Sequence, residues 1–598
     1  MPISTQFRAF CELHAFANRL LPALSFACIG LAANAHAADS DPIFAEPLIV
    51  ITGAGPALEN NIRAFLSVRN EACSTTPARL RRLLPQVRRQ LAEAASALGY
   101  YHVEADARFA DSEGCWRLDI AVTPGPRVVL GTVDVSVVGG ADVQADFANL
   151  LQASPLVSGQ PLHHGNYESF KSALSARAID EGYFSARFVE SQIALDLDAN
   201  RADLTLLFDP GPRYRFGTIT VRSDARLDPD VIDGMLPVRE DDPYSSDALA
   251  DMRASLDASQ YFRQIRVSPQ IGAAAGDEVP VDVELEMRPQ HAWTAGLGFT
   301  TDTGPRARLS YDNRYVNTRG HRLDVDATLS QVRSQLDGSY LIPLADASRQ
   351  SLNLAGGYSV EDNESFESKR TKLEASIRNQ NRSGWLQTLF VDMQNDDYVV
   401  AGQHNTSVLS TLGASLSRTK ADNLINPNFG WKLYTQLRGA SDNLLSDATF
   451  VQWYGSAKHV LGFGRSRLLS RVEVGATWID EQDELPASLR YFAGGDQSIR
   501  GFAFRELGPV NAANQVVGGK QLIVGSVEYD FQVRDAWRLA VFADSGNAFN
   551  DRDDLEWRHS AGVGLRWMSP IGPVRVDIAH PVNGTDSFRI HVTMGPDL

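Results

Sequence analysis

The sequence predicts three small α+β repeats, each in the order strand, helix, helix, strand, strand, followed by a transmembrane antiparallel β-barrel of about 16 strands. Three observations predict it. A short aromatic string returns three times in the first half of the chain. Helical periodicity stops near His291. From there on, apolar and polar residues alternate in stretch after stretch, parted by polar, Gly- or Asn-rich turns.

Residues 1–37 read as an export signal. Arg8 and Arg19 supply a basic start, residues 20–33 a short apolar run, and Ala35-His36-Ala37 a small-x-small cleavage site. The alternative, an anchor helix, needs a longer apolar run to span a bilayer. Cleavage before Ala38 changes the net charge from −17 to −18. That charge, with no basic stripe, argues against nucleic acid as a partner. Cys11 and Cys28 leave with the signal. Cys73 and Cys115 remain, and in an oxidising compartment two cysteines in one small domain suggest a disulfide. The alternative is a pair of buried thiols.

The repeats are marked by Leu98-Gly99-Tyr100-Tyr101, Glu181-Gly182-Tyr183-Phe184 and Ser259-Gln260-Tyr261-Phe262, with tyrosines 83 and 78 residues apart. Each string follows an amphipathic helix, over 80–98, 167–181 and 246–259. In the first, Leu83, Leu84, Val87, Leu91, Ala95 and Leu98 recur mostly at three and four. Pro85 places the start of that regular helix close to itself. Two alternating strands follow each string and one strand precedes each copy. Thr123-Pro124-Gly125-Pro126-Arg127 and Asp209-Pro210-Gly211-Pro212-Arg213 end the first two copies, because Pro and Gly stop one strand before the next begins. The expected boundaries are 38–125, 126–212 and 213–290, with the barrel over 291–598.

In the barrel half, Ile523, Val527, Tyr529, Phe531 and Val533 alternate with Ser526, Glu528, Asp530 and Gln532. Trp537, Leu539 and Val541 oppose Arg538 and Asp544. Val574, Val576 and Ile578 oppose Arg575 and Asp577, and Phe588, Ile590, Val592 and Met594 oppose Arg589, His591 and Thr593. One face suits lipid and the other water. A soluble sandwich shares that alternation, but strands continuing over about 300 residues exceed one sandwich. Closure leaves no backbone group unpaired in the membrane.

A long Gly-rich connection carries Arg500 between the strand at 468–479 and the strand at 521–533. Alternation turns Glu528 and Asp544 inward, where a dry unpaired charge is costly. Arg500 offers a rigid fork of donors suited to carboxylates. Gly501 lets the loop turn where a Cβ would clash, and Phe502 and Phe542 can pack around the pair. The alternative is that the carboxylates are solvated and Arg500 is exposed.

The strand–helix–helix–strand–strand repeats resemble POTRA domains. Ile499-Arg500-Gly501-Phe502 resembles the (Val/Ile)-Arg-Gly-(Phe/Tyr) tetrad of the POTRA–barrel assembly superfamily, which includes BamA, TamA and the two-partner exporters. Phe542-Ala543-Asp544-Ser545-Gly546 resembles its Phe-x-Asp-x-Gly motif, and Glu528 matches the acidic residue between them. Three repeats, Phe492-Ala493-Gly494-Gly495 and the ending Met594–Leu598 resemble the TamA type within it. The resemblance implies a loop-to-barrel lock made by Ile499, Arg500, Gly501, Phe502, Glu528, Phe542, Asp544 and Gly546. It implies a TamB-like inner-membrane partner reached through the first repeat, unfolded outer-membrane clients such as autotransporters, and contact with outer-membrane lipid. A lipid bridge between membranes and a two-partner exporter are the alternative roles.

The first barrel strand, 292–300, is interrupted by Gly296 and Gly298, and Gly595-Pro596 ends the last one early. A weak seam between them is therefore expected. No enzyme, cofactor or metal signature competes. Asp544-Ser545-Gly546 reads as a strand ending in a turn, and His163-His164 as a surface pair; a membrane hydrolase, a passive porin and a binding scaffold remain as other classes.

Overall fold

The computed structural model describes residues 47–598, apart from 113–114, 225, 482–483, 570–571, 583–587 and 596–598. The expected export signal, Cys11, Cys28, the expected boundary at Ala38 and the last three residues of the Met594–Leu598 ending lie outside these residues.

The first repeat runs β1 (Leu48–Thr52), α1 (Pro56–Phe65), α2 (Pro77–Ser96), β2 (Glu104–Ser112) and β3 (Cys115–Thr123). The second runs β4 (Val129–Val137), α3 (Ala141–Gln152), α4 (His164–Asp180), β5 (Arg187–Asp196) and β6 (Arg201–Asp209). The third runs β7 (Arg215–Ser223), α5 (Pro229–Asp233), α6 (Ser246–Ala258), β8 (Phe262–Pro269) and β9 (Glu278–Met287). In each three-stranded sheet the last strand lies in the middle. Thus β3 pairs parallel with β1 and antiparallel with β2, and β9 does the same with β7 and β8.

In the first repeat α2 buries Leu80, Val87, Leu91, Ala94 and Ala95 in one core with Leu118, Ile120 and Val122 of β3. This corrects the expected start near Pro85, because the helix runs from Pro77 straight through it. An interior proline costs about 3 kcal/mol. Here Pro85 and Arg81, whose carbonyl loses its helical partner, are both exposed, and the buried face carries the helix across the break. Cys73 and Cys115 form a disulfide that ties the segment between the two helices to the start of β3.

The repeated strings and the Pro-Gly-Pro-Arg junctions are two halves of one joint. Arg127 Nε donates to Leu98 O at 2.6 Å while Val128 N donates to Gly99 O at 2.9 Å. One repeat later, Arg213 Nε donates to Glu181 O at 3.0 Å and Tyr214 N to Gly182 O at 2.9 Å. Each arginine thus caps carbonyls at the end of a helix, where such groups lack partners. The third repeat meets the barrel instead. Tyr261 Oη donates to Gly320 O at 2.5 Å and Asp228 N to Thr318 O at 2.7 Å. Burial pushes the Tyr261 hydroxyl up to about 12, so it remains a donor at neutral pH.

The barrel strands are β10 (His291–Thr300), β11 (Gly304–Asn313), β12 (Arg322–Ser330), β13 (Arg333–Pro343), β14 (Gln350–Asp362), β15 (Phe366–Gln380), β16 (Leu386–Val400) and β17 (Gln403–Ala421). They continue as β18 (Phe429–Ala440), β19 (Phe450–Phe463), β20 (Ser466–Trp478), β21 (Gln521–Arg534), β22 (Trp537–Phe549), β23 (Arg558–Ser569), β24 (Gly572–Pro581) and β25 (Arg589–Met594). Each pairs antiparallel with the next, giving a 16-stranded, near-closed barrel. Leu389, Leu412, Leu437, Val527, Leu539 and Val563 on the outer face are each more than half exposed, whereas Asp392, Gln394, Asp396, Asp530 and Arg538 are buried in the lumen. That is the inside-out pattern of a barrel facing lipid. No described helix is long and apolar enough to cross a membrane.

β10 and β25 are the two edges of the sheet. Among the described residues no ladder joins them. The hydrogen bonds across the seam come from the turn after β10: Thr301 N donates to Val592 O at 3.2 Å, and Val592 N to Thr301 Oγ1 at 2.6 Å.

Candidate functional site

The connection from β20 to β21 turns back into the lumen. Its interior pairing holds it compact: Ala493 and Leu507 exchange two backbone hydrogen bonds of 2.9 Å, and Tyr491 and Gly519 exchange two of 2.9 and 2.7 Å. Burial of apolar surface drives the inward fold. Ala493, Ile499, Phe502 and Leu507 pack with Leu522 and Val524 of β21 and Ala548 of β22. Arg471 of β20 donates to the carbonyls of Gln497 and Ser498, just before Arg500. Farther along, Arg505 pairs with Glu361 of β14 at 2.8 Å and lies over the ring of Phe366. The loop therefore touches strands well apart around the barrel.

Arg500 is the centre of this arrangement. Its Nε donates to Asp544 Oδ2 at 3.0 Å and its Nη2 to Asp544 Oδ1 at 2.8 Å and Ser526 Oγ at 3.2 Å. Its Nη1 donates to Glu528 Oε2 at 2.8 Å and Asp577 Oδ2 at 3.2 Å. A guanidinium has five N–H donors, and these five bonds use them all. Its flat face lies 3.3 Å from the centroid of the Phe542 ring. The backbone takes part too: Arg500 N donates to Asp544 Oδ2 at 3.0 Å, and His591 Nε2 of β25 donates to Arg500 O at 2.5 Å.

Arg566 of β23 completes a ring of alternating charge. It donates to Glu528 Oε1 from Nε and Nη2, at 3.0 and 2.8 Å, and to Asp577 Oδ1 from Nη1 at 2.5 Å. Glu528 and Asp577 thus each bridge the two arginines. Four strands, β21, β22, β24 and β25, supply partners for one loop residue, and Arg566 of β23 holds two of those partners from the other side. Ions taken from water are stabilised only when paired and hydrogen-bonded, and here they are.

The structure places the sequence-derived residues as follows. Glu528, Phe542 and Asp544 meet Arg500. Phe502 sits in the apolar cluster with Ile499, where Leu522 and Val524 turn inward at that level. Gly501 is needed for close approach rather than for a left-handed turn. A Cβ there would lie 2.7 Å from Ser560 Cβ and 2.9 Å from Pro581 N. Gly546 has φ 155°, and a Cβ would lie 2.1 Å from Ile523 O. Ser526, Ser560, Arg566, Asp577 and His591 join the site beyond the expected set. Alternation turns them inward, but nothing local says that the loop ends against them.

Residues 290–597, half of the chain, match the Omp85 superfamily domain. The chain belongs to the Omp85 superfamily. Residues 48–124 of this Omp85 chain match the POTRA domain TamA domain 1. Over 452 residues it is 22% identical to the outer membrane protein assembly factor BamA of Nitratidesulfovibrio vulgaris, covering 71% of this chain and 56% of the relative. It is 21% identical over 477 residues to BamA of Neisseria meningitidis serogroup B, covering 67% and 58%. The Omp85 chain therefore spans just over half the length of these relatives. Its fold is similar to the crystal structure of BamA from Haemophilus ducreyi lacking POTRA domains 1–3. The TM-score is 0.60 at 16% identity, with 78% of this chain and 99% of that one covered.

Proposed function

We propose that this Omp85 chain is an outer-membrane insertase of the TamA type, with its repeats in the periplasm. In this reading it assembles barrel proteins such as autotransporters, together with a TamB-like inner-membrane partner that meets the first repeat. One observation carries the reading: a loop clamped to β21–β25 stands beside an edge strand, β25, that shares no described ladder with β10. The clamp steadies the last strands of the barrel as a body. The free edges of β10 and β25 can then part and offer their backbone groups to a client strand. Three repeats and the match of residues 48–124 support the TamA type over other members.

The test is reconstitution. The full chain in liposomes, given an unfolded autotransporter barrel, should speed the appearance of heat-modifiable, protease-resistant client. No acceleration over empty liposomes overturns the reading. Loss of the purified partner's binding on deleting residues 48–124, with no loss on deleting the third repeat, is the expected result for the partner assignment.

A further inference from the structure

On the outer face of the barrel, at the end that carries the third repeat, Arg418 of β17 lies against two indole rings. Its guanidinium carbon is 5.7 Å from the ring centroid of Trp385 and 5.3 Å from that of Trp431. The two rings are 6.1 Å apart. Trp385 directly precedes β16, Arg418 lies in β17 and Trp431 lies in β18, so three neighbouring segments build the cluster. Alternation puts Arg418 on the lipid side, in line with the exposed Leu412. Among the described residues, Arg418 has no carboxylate partner and donates no hydrogen bond. The nearby Asp422 accepts from the backbone amides of Asn423, Asn428 and Phe429. Lys420, exposed and paired in register with Trp431, adds a second cation.

A second observation adjoins the first. A shallow, largely apolar groove of about 520 Å³ lies on the outer face on the mid-barrel side of this cluster. Its lining includes Leu389, Ala414, Leu416, Thr435, Leu437 and Trp453. Leu416 is two residues from Arg418 along β17, roughly 7 Å. Trp453 Nε1 donates to Thr435 Oγ1 at 2.9 Å, which fixes that indole as a wall of the groove.

A cation on the lipid face is tolerated near the membrane interface and costly at mid-depth. Arg418 lies three residues from the end of β17, at interfacial depth, among tryptophans that favour that depth. Guanidinium donors fit phosphate oxygens, and the indoles orient the guanidinium. We infer that Arg418, Trp385 and Trp431 bind the phosphate of a glycerophospholipid in the leaflet on the repeat side, with one acyl chain of that lipid lying in the adjacent groove. This rests on the barrel spanning a membrane.

The probe is native mass spectrometry of the full chain in detergent with added phosphatidylglycerol or the matching diacylglycerol. Wild type should retain one phosphatidylglycerol, and Arg418→Gln should lower its occupancy about tenfold, the scale of one lost charge-assisted contact. Ala414→Phe fills the groove and leaves the arginine in place; it should lower retention comparably. Diacylglycerol should be retained far less than phosphatidylglycerol. Heat-modifiable migration checks that each barrel is folded, and Trp385→Leu gives a second route to the same loss if Arg418→Gln does not fold. Equal retention by wild type and the folded variants overturns the site, as does equal retention of the two lipids. If the membrane reading itself fails, no lipid of either kind is retained by any variant, a different outcome.

Discussion

Arg500 gives Asp544 three hydrogen bonds, from its backbone amide, Nε and Nη2, at 3.0, 3.0 and 2.8 Å. Backbone and side chain of one loop residue are thus fixed to one strand carboxylate, which sets the position of the loop as well as its charge balance.

Replacing Arg500 by alanine leaves Asp544 without its main partner and Glu528 and Asp577 with Arg566 as their shared arginine. Breaking a buried ion pair from one side costs about 3–5 kcal/mol. The barrel of Arg500→Ala should lose heat-modifiable migration at a lower temperature than wild type. Arg500→Lys should recover only part of the loss, because an ammonium has fewer donors and cannot bridge Asp544, Glu528 and Asp577 together. Wild-type melting of both variants would remove Arg500 from barrel stability.

The space at Gly501 makes a separate prediction. Gly501→Val puts a branched side chain against Ser560 and Pro581, and overpacking of this kind costs about 1–3 kcal/mol. The expected result is a loop displaced from the wall, read as faster proteolysis within residues 490–510 of the folded barrel. Unchanged cleavage would show that the wall yields instead.

Much of this site could be read from residue order. Glu528 and Asp544 stand out because strict alternation turns them inward, and a nearby loop supplies an arginine with no other evident use. Asp577, Arg566 and His591 obey the same alternation, yet so do many lumen residues. Which of them face the loop depends on how β21 to β25 curve around it, a relation between distant segments. The same limit explains Phe502. The sequence shows an aromatic beside Arg500, but only the inward turn of Leu522 and Val524 decides which neighbours it takes. Pro85 was misleading for the opposite reason, since a local rule yielded to the core under α2.

The Cys73–Cys115 bridge closes a loop of 42 residues in the first repeat. Constraining a loop of that size in the unfolded chain contributes about 4 kcal/mol. Reduction should therefore make the first repeat unfold at lower urea, followed by the fluorescence of the buried Trp116, while barrel migration stays unchanged. Identical urea midpoints before and after reduction would contradict this.

The contact between the first two repeats should be pH-dependent. His164 and Tyr101 Oη are 2.6 Å apart, and burial, aided by the charge of His163 and opposed by Glu168, holds the imidazole below its usual range. A folded-state value below the unfolded one means that the unfolded state binds its proton first. The contribution is therefore complete above about pH 6.5 and is lost as pH falls from there through the folded value. Hydrogen exchange of residues 97–101 and 163–167, corrected for intrinsic rates, should quicken between pH 7.5 and 5.5. His164→Gln should flatten the profile, and an equal pH response in that variant would exclude the imidazole.

The most direct test of an insertase working through its seam is to fasten the seam. Thr301→Cys with Val592→Cys places two thiols where the turn after β10 meets β25. Oxidised, this chain should remain a folded barrel in liposomes and lose the ability to speed assembly of an autotransporter barrel, and a reductant too mild to open Cys73–Cys115 should restore it. Undiminished assembly by the cross-linked protein would contradict the account.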